Sequence, residues 1–218
     1  MNRKLLAIIM ALAILIAIIP AALAVDQNAD SEGKIVFTAD NSDKDGVYDP
    51  DDIKNPDPED PDPILDPEDQ DVKEFLDNLS SMDLDFGEHD VDLVNNQKYD
   101  SIDPAGVFVL SHAEKWKLSV AIAGFFLTEG EAQTIKGFEM DLTPDSGHTL
   151  GTGSAIDPKP ATKLAAKNNG GLGDAQDIAT GTPGITGANY AAELNVLART
   201  ASEGEAKAEL VWTYAIVP

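Results

Sequence analysis

Apolar and polar residues alternate along several short segments of the chain, and this alternation predicts β-strands. In residues 116–122, WKLSVAI, every second residue is apolar, and the residues between them are Lys117, Ser119 and Ala121. Successive side chains of a strand point to opposite faces of the sheet, so the segment has one apolar face. The same alternation, or a run of β-branched and aromatic residues, marks five further segments: 82–89, 106–110, 137–144, 192–199 and 208–217.

Short strands separated by Gly, Pro and Asp are typical of antiparallel proteins. We therefore predict the all-β class, with an antiparallel β-sandwich or barrel-like domain, long glycine-rich loops and an acidic Asp-Pro spacer. Residues 143–190 contain nine of the 17 glycines, so we expect mostly loops there, with one or two weak strands. A short helix is predicted at residues 71–79, DVKEFLDNL, because its apolar residues follow helical spacing.

The first 24 residues have the three parts of a secretory signal peptide. Arg3 and Lys4 form a positive start, residues 5–19 are apolar, and a small-residue cleavage site ends at Ala24. We expect cleavage after Ala24. The alternative is an uncleaved anchor, since the apolar run approaches the length that spans a bilayer. No second run of that length follows, so we expect a secreted protein that lies outside the membrane after cleavage.

The composition changes abruptly after a strand candidate, GKIVFTAD. Residues 40–71 hold 14 acidic residues against Lys44 and Lys54, together with six of the 13 prolines. Asp-Pro repeats repel one another and bury little apolar surface, so we expect a solvated, extended spacer. The predicted organisation is a signal peptide, an N-terminal strand segment, the spacer and a β domain, at residues 1–24, 25–39, 40–71 and 72–218.

The charge of the chain excludes some classes of partner. The formal net charge is −24, and removal of the two basic residues of the signal peptide makes it −26. Such a charge disfavours nonspecific binding to nucleic acid or to anionic lipid. The chain has no cysteine, so its fold cannot depend on disulfides.

The only two tryptophans lie in similar settings, AEKWKLSVAI and AELVWTYAIV. In a strand, Trp116 and Leu118 share one face, and so do Trp212 and Tyr214. Two interpretations follow. Either both apolar ridges lie in the core, or one or both indoles are exposed and stack on a sugar ring or a partner protein. The alternation with polar residues favours the core, because it is typical of half-buried strands.

These features together resemble the WxL family of Gram-positive cell-surface proteins, named for tryptophan, any residue, then leucine. Similar members have a signal peptide, a GKIVFTA-like opening strand, an Asp-Pro spacer, a segment like LSSMDLDFGEHDV and two tryptophan motifs, in that order. The resemblance covers essentially the whole mature chain. The second motif departs from the pattern, because Tyr214 stands where the family usually has leucine.

The resemblance implies non-covalent attachment to the cell wall, with peptidoglycan as the ligand, and partnership with companion cell-surface proteins. The final segment YAIVP carries no sorting motif, which agrees with attachment by binding. The alternative is an interaction subunit of a surface complex without direct glycan binding. Lys115 would supply a flanking hydrogen bond, and the expected ligand-binding residues are Trp116, Lys117, Leu118, Trp212, Thr213 and Tyr214.

Other chemistry has weaker support in the sequence. Residues 41–52, NSDKDGVYDPDD, resemble a calcium loop, but Asp52 replaces the usual Glu and Pro50 stiffens the segment. We predict no metal site there. The triplet DSG at 145–147 lacks the second carboxylate of an aspartic protease. We expect no catalytic residues, no cofactor and no enzyme activity, although a glycosidase could hide two carboxylates among 39 acidic residues.

Overall fold

A computed structural model describes residues 27–30, 44–55, 65–66, 69–127, 133–161 and 163–218. The signal peptide and the GKIVFTAD segment lie outside the described residues. The described part of the chain contains these elements: β1 (Gln27–Asp30), β2 (Gly46–Tyr48), α1 (Pro50–Lys54), α2 (Gln70–Asp77), β3 (Gln97–Asp100), β4 (Ala105–Ser111), β5 (Trp116–Ile122), β6 (Phe125–Leu127), β7 (Gln133–Ile135), β8 (Phe138–Pro144), β9 (His148–Leu150), β10 (Ile156–Pro158), β11 (Gln176–Gly181), β12 (Gly184–Val196), β13 (Ala206–Lys207) and β14 (Leu210–Ile216).

Two large antiparallel sheets contain most of these strands. Sheet A has the order β1-β14-β5-β11-β10. Sheet B is built around the long strand β12, which pairs with β4 and β9 along its first half and with β3 and β8 along its second half. Strand β2 adds to β4 at the edge of sheet B, and a small third sheet joins β13, β6 and β7. The predicted all-β, sandwich-like class is confirmed.

The main hydrophobic core contains side chains from both large sheets. Tyr190 of sheet B packs against Trp212 of sheet A, with ring centroids 6.3 Å apart. The Tyr190 hydroxyl donates a hydrogen bond of 2.8 Å to the Ile178 carbonyl oxygen of sheet A. Burial raises the pKa of this hydroxyl, so the group stays a neutral donor. The two sheets are thus joined by apolar packing and by a directed hydrogen bond.

The two helices cover the other face of sheet B. Phe108 of β4 is fully buried there, with Tyr48 and Phe75 packed edge-on at centroid distances of 5.8 and 6.1 Å. The helix predicted at residues 71–79 is confirmed as α2. It begins where the Asp69 carboxylate accepts a hydrogen bond of 2.8 Å from the Asp71 N–H, which is a favourable helix cap.

Residues 44–55 correct the expectation of a solvated, extended spacer. Strand β2 lies here, with Val47 and Tyr48 buried, and α1 follows with Ile53 buried. The reason is that Tyr48 and Ile53 pack into the cluster around Phe108 and Val47 packs into the main core, and their burial holds the backbone against the sheet. The Asp-Pro run at residues 56–64 lies outside the described part of the chain.

Residues 82–86 keep the predicted alternation but form no strand, which corrects that prediction. Met82 is buried, Leu84 and Phe86 are half-buried, and the two acids between them are exposed. The segment has an apolar face against the core, yet it makes only scattered backbone bonds, such as Ile102 N–H to the Asp85 carbonyl. A strand assignment needs a continuous ladder as well as an apolar face.

Residues 143–190 contain more strands than the one or two that were predicted, because β9, β10, β11 and the first half of β12 lie there. Most of the described residues of this stretch still lie outside strands, as predicted. Small residues in these strands serve close packing. A Cβ atom added to Gly187 would lie 2.6 Å from Leu79 Cδ1, and one added to Gly181 would lie 2.1 Å from Trp116 Cζ2. Glycine here permits close approach in a strand and does not mark a turn.

Replacement of Trp212 tests the inter-sheet core. We expect Trp212→Ala to lower the free energy of unfolding by about 3–5 kcal/mol, because it leaves a large cavity beside Tyr190. Urea denaturation followed by circular dichroism measures the change. Val94→Ala is the control, since Val94 is 79% exposed and its truncation should change stability by less than about 0.5 kcal/mol. Equal stability of the two variants would contradict the packing described.

Candidate functional site

The two tryptophan motifs are neighbours in the structure. Strands β5 and β14 pair antiparallel along their full lengths, from Leu210 opposite Ile122 to Ile216 opposite Trp116. Trp212 lies opposite Val120 and Tyr214 lies opposite Leu118 in this register. The two similar segments, distant in the chain, therefore form one structural unit in the middle of sheet A.

Both indoles belong to the core. Trp116 and Trp212 are each 0% exposed, and Leu118 and Tyr214 are also buried. The core interpretation of both apolar ridges is confirmed, and neither indole offers an open face for stacking. This corrects the picture of Trp116 or Trp212 as an exposed binding platform. The physical reason is that both ridges point from sheet A toward sheet B and complete the main core.

The two indole N–H groups differ in their hydrogen bonding. Trp116 Nε1 donates a hydrogen bond of 2.9 Å to the Thr182 carbonyl oxygen, which holds the ring at the end of β11. Trp212 Nε1 has no hydrogen-bond partner among the described residues. A buried N–H without a partner costs free energy, so the position of Trp212 depends on apolar packing alone.

Tyr214 makes hydrogen bonds through its hydroxyl. Its hydroxyl lies 2.8 Å from Ser111 Oγ and donates to Asp45 Oδ2 over 3.5 Å. Ser111 Oγ in turn accepts the Ala113 N–H at 3.1 Å. Burial raises the pKa of the tyrosine hydroxyl and keeps it a donor. These bonds join β14 to the end of β4 and to the residue before β2, and a leucine could not form them.

The polar positions between the ridge residues face outward from sheet A. Lys117 Nζ lies 3.1 Å from Asp177 Oδ1, and Ser119 Oγ donates to the same oxygen at 2.6 Å. Thr213 lies opposite Ser119 in the neighbouring strand. The hydrogen bond from Ser119, with a smaller effect of Lys117, lowers the pKa of Asp177. Ser119 is buried, so the accessible groups of this outer face are the Lys117 ammonium and the Asp177 carboxylate, whose side chains are 40% and 55% exposed.

A shallow pocket of about 390 Å³ lies at the end of sheet A where Trp116 sits, and we call it the motif-end pocket. Lys115 and Asp157 are its only charged lining residues, so it is formally neutral in a very acidic protein. Thr180 lies opposite Lys117 in the sheet and joins the pocket to the polar outer face. The lining residues are Lys115, Trp116, Ala155, Ile156, Asp157, Thr180, Gly181, Thr182 and Val217.

Sequence reasoning found Lys115 and Trp116 of this pocket but missed Asp157, Thr180 and Thr182. These three lie in the stretch expected to be loops, and nothing in their local sequence marks them. They reach the pocket because β10 and β11 extend sheet A beyond β5. Strand register in that region is not visible in the sequence, because small residues obscure its alternation.

The residues of the calcium-like segment serve the fold where the structure describes them. The Asp45 carboxylate accepts the His112 backbone N–H at 2.9 Å, and Asp49 caps α1 by accepting the Asp51 N–H at 2.9 Å. In the described ranges, no three His, Asp or Glu side chains are placed to hold a metal ion together. Nor does any helix within those ranges have the length and apolarity to cross a bilayer.

The chain was compared with protein-family models, with curated proteins and with solved structures, and none of the three comparisons found a match.

The contribution of the Tyr214 hydroxyl is tested by two substitutions. We expect Tyr214→Leu, which restores the residue usual in the WxL motif, to lower the free energy of unfolding by about 2–4 kcal/mol, through lost ring volume and lost hydrogen bonds. Tyr214→Phe keeps the ring and should cost only about 1 kcal/mol. Urea denaturation compares the three proteins. A leucine variant as stable as the native chain would show that the hydroxyl network contributes nothing.

The polar cluster around Asp177 predicts a pH dependence. Its folded-state pKa is lowered, so its stabilisation is present above the unfolded value of about 3.9 and is lost as the pH falls through the folded value. The stability difference between the native chain and Asp177→Asn should therefore be largest near neutral pH and shrink in acid. Urea denaturation across that pH range measures it. A difference that does not vary with pH would exclude a role for the carboxylate charge.

Proposed function

We propose that the chain is a non-catalytic cell-surface protein of the WxL type that attaches non-covalently to the Gram-positive cell wall, with peptidoglycan as its ligand. The observation that carries this proposal is the full-length pairing of β5 with β14, which makes the two motifs one unit. If the two tryptophan motifs were chance matches, we would not expect them to lie on strands that pair along their full lengths. The ordered set of WxL-like features along the chain supports the same conclusion.

The motif residues then divide into two roles. The ridge side chains Trp116, Leu118, Trp212 and Tyr214 are buried and act by setting the shape and register of sheet A. Lys117 and Thr213 lie on the outward face of the same strands, where they are positioned to hydrogen-bond a ligand. The ligand would thus contact the outward surface of sheet A, and the buried indoles would support that surface from inside.

The motif-end pocket is the best-formed contact point for a sugar on this surface. Sugar rings present hydroxyl and amide groups together with apolar C–H faces. The lining of the pocket combines Lys115 and Asp157 with two threonines and with apolar surface from Ile156 and Val217. Its neutrality matters, because a protein with a formal charge of −24 repels anionic polymers. An uncharged polar glycan avoids that repulsion.

A second candidate function is an interaction subunit in a surface complex with companion proteins and no glycan contact of its own. The observation that favours it is a group of exposed apolar side chains, Val91, Leu93 and Val94, on one loop. Exposed apolar groups in a cluster are typical of protein-binding surfaces. Binding to a wall stripped of protein separates the two functions, because only direct glycan binding predicts retention there.

Retention on purified, protein-free peptidoglycan tests the proposal. We expect the native protein to be retained and Ala155→Trp to reduce retention roughly tenfold, because a tryptophan at this exposed lining position fills the motif-end pocket. Ala175→Trp is the matched control, since Ala175 is exposed and lies outside the pocket. It should bind like the native protein. Both variants are first checked for native stability by urea denaturation.

Three outcomes would count against the proposal. Equal retention of the native protein and Ala155→Trp would remove the motif-end pocket from the binding role. Retention only on walls that still carry protein would favour the interaction subunit. Release of soluble wall fragments during the incubation would indicate a hydrolase in place of a binding protein.

A further inference from the structure

A large groove lies at the end of the sandwich opposite the motif-end pocket, and we call it the acidic groove. It is lined by Ile122 at the last position of β5, whereas the motif-end pocket is lined by Trp116 at the first. Its volume is about 1210 Å³, above the range of roughly 300–1,000 Å³ that is usual for small-molecule sites. The size is that of a site for a segment of polypeptide.

The floor of the acidic groove is apolar and is supplied by both large sheets. Ile122 and Leu210 come from sheet A, and Met140, Leu194 and Val196 come from sheet B. These five side chains are 1–5% exposed, and half-buried apolar side chains that also line the groove, Leu84, Phe86, Tyr99 and Ile135, pack against this core. The half-buried residues gain free energy when the apolar face of a partner covers them.

Exposed apolar side chains continue from the groove onto the surface beside it. Val91 lines the groove, and Leu93 and Val94 follow it at 56% and 79% exposure. Ile102 is 63% exposed and lies next to the groove residue Gly87, and Leu197 follows the groove residue Val196. Five of the seven large apolar residues that are exposed in the described part of the chain are therefore at this end. Such a concentration marks an interaction surface.

The rim of the groove carries negative charge. Its lining contains seven acidic residues against Lys207 and one histidine, His89. Glu88, Asp90 and Glu203 are exposed, so they can meet a charged partner at the surface. A concave site lined by one sign of charge attracts the opposite sign and orients it during association. The seven acids are Asp83, Asp85, Glu88, Asp90, Asp92, Glu203 and Glu205.

We propose that the acidic groove binds an amphipathic, lysine- or arginine-rich segment of a partner surface protein. The apolar face of that segment covers the half-buried apolar side chains of the groove, and its cations meet the carboxylates of the rim. This arrangement combines apolar burial, which gives affinity, with charge complementarity, which gives specificity and a faster association. It is independent of glycan binding at the motif-end pocket.

Charge disfavours the other occupants. A second copy of the chain would bring two acidic rims together, and like charges repel. Internal chain segments outside the described residues are also acidic, and residues 56–64 contain four acids and no base. Residues 31–43 contain three acids against Lys34, a net charge of −2, and residues 128–132, TEGEA, contain two acids and no base. A cationic partner segment is the occupant that matches the rim.

Peptide binding to the complete mature chain tests this inference. The probe is a fluorescent amphipathic peptide of about twelve residues made only of Leu and Lys, titrated and followed by anisotropy. We expect saturable binding that weakens as salt is added, because salt screens the attraction between the lysines of the peptide and the carboxylates of the rim. A peptide with Ser in place of each Leu tests the need for apolar contact, and one with Glu in place of each Lys tests the need for positive charge. Neither should bind measurably.

Charge reversal locates the binding site. Glu88→Lys combined with Asp90→Lys should weaken binding of the Leu/Lys peptide roughly tenfold. The matched control is Asp77→Lys combined with Glu114→Lys, which makes the same change in net charge at exposed positions outside the groove. This control should bind within about twofold of the native protein, since distant surface charges are screened. Both double variants should keep native stability in urea.

Several results would overturn the inference. The first is that the Leu/Lys peptide does not bind, and the second is that the Ser/Lys peptide binds equally well. The third is that the two double variants weaken binding equally, which would mean that the peptide is attracted by the net charge of the protein and not by the groove. A concentration-dependent dimer of the native chain that is lost in the groove variant would assign the groove to a second copy. Retention on peptidoglycan is measured on the same groove variant, and we expect it to be unchanged. The two proposals can therefore fail separately.

Discussion

The packing of two tryptophan ridges from adjacent strands into the main core, with Trp212 against Tyr190, is the interaction on which the rest of the structure depends. Strands β5 and β14 place Trp116 and Trp212 on the same face of sheet A, and both indoles are fully buried. The Tyr190 hydroxyl bonds back to the sheet A backbone at Ile178. In a chain without cysteine, this inter-sheet contact takes the place that a disulfide has in many exported domains.

Burial of the motifs changes how their function is understood. Side chains that complete a core cannot also be an open platform, so under the proposed function the motif would act through the surface that it supports. Lys117 and Thr213 would then contact the ligand, and the pocket beside Trp116 adds groups from β10 and β11. The two ends of the sandwich then differ in chemistry. The motif-end pocket is small and formally neutral, whereas the acidic groove at the other end is large, apolar at its floor and acidic at its rim.

The strands with clear alternation were predictable because each buries one complete face. Residues 116–122, 138–144 and 210–216 form strands within the segments where period two placed them. Helix α2 was visible for the same reason, since its buried residues repeat at helical spacing. The strands of residues 143–190 were not visible for two reasons. Strands β9 and β10 are only three residues long, and β11 and β12 carry glycines that approach Trp116 and Leu79 closely and leave no side chain to show the period.

The sequence by itself determined the all-β class, the apolar faces of the main strands and the likeness of the two tryptophan segments. These are local properties, encoded in the order of apolar and polar residues along each strand. Only the tertiary structure decided that the two segments pair, that both indoles are buried, and that residues 44–55 fold onto sheet B. It also brought together the linings of the pocket and the groove, because contacts between distant strands depend on register and sheet order, which no single segment encodes.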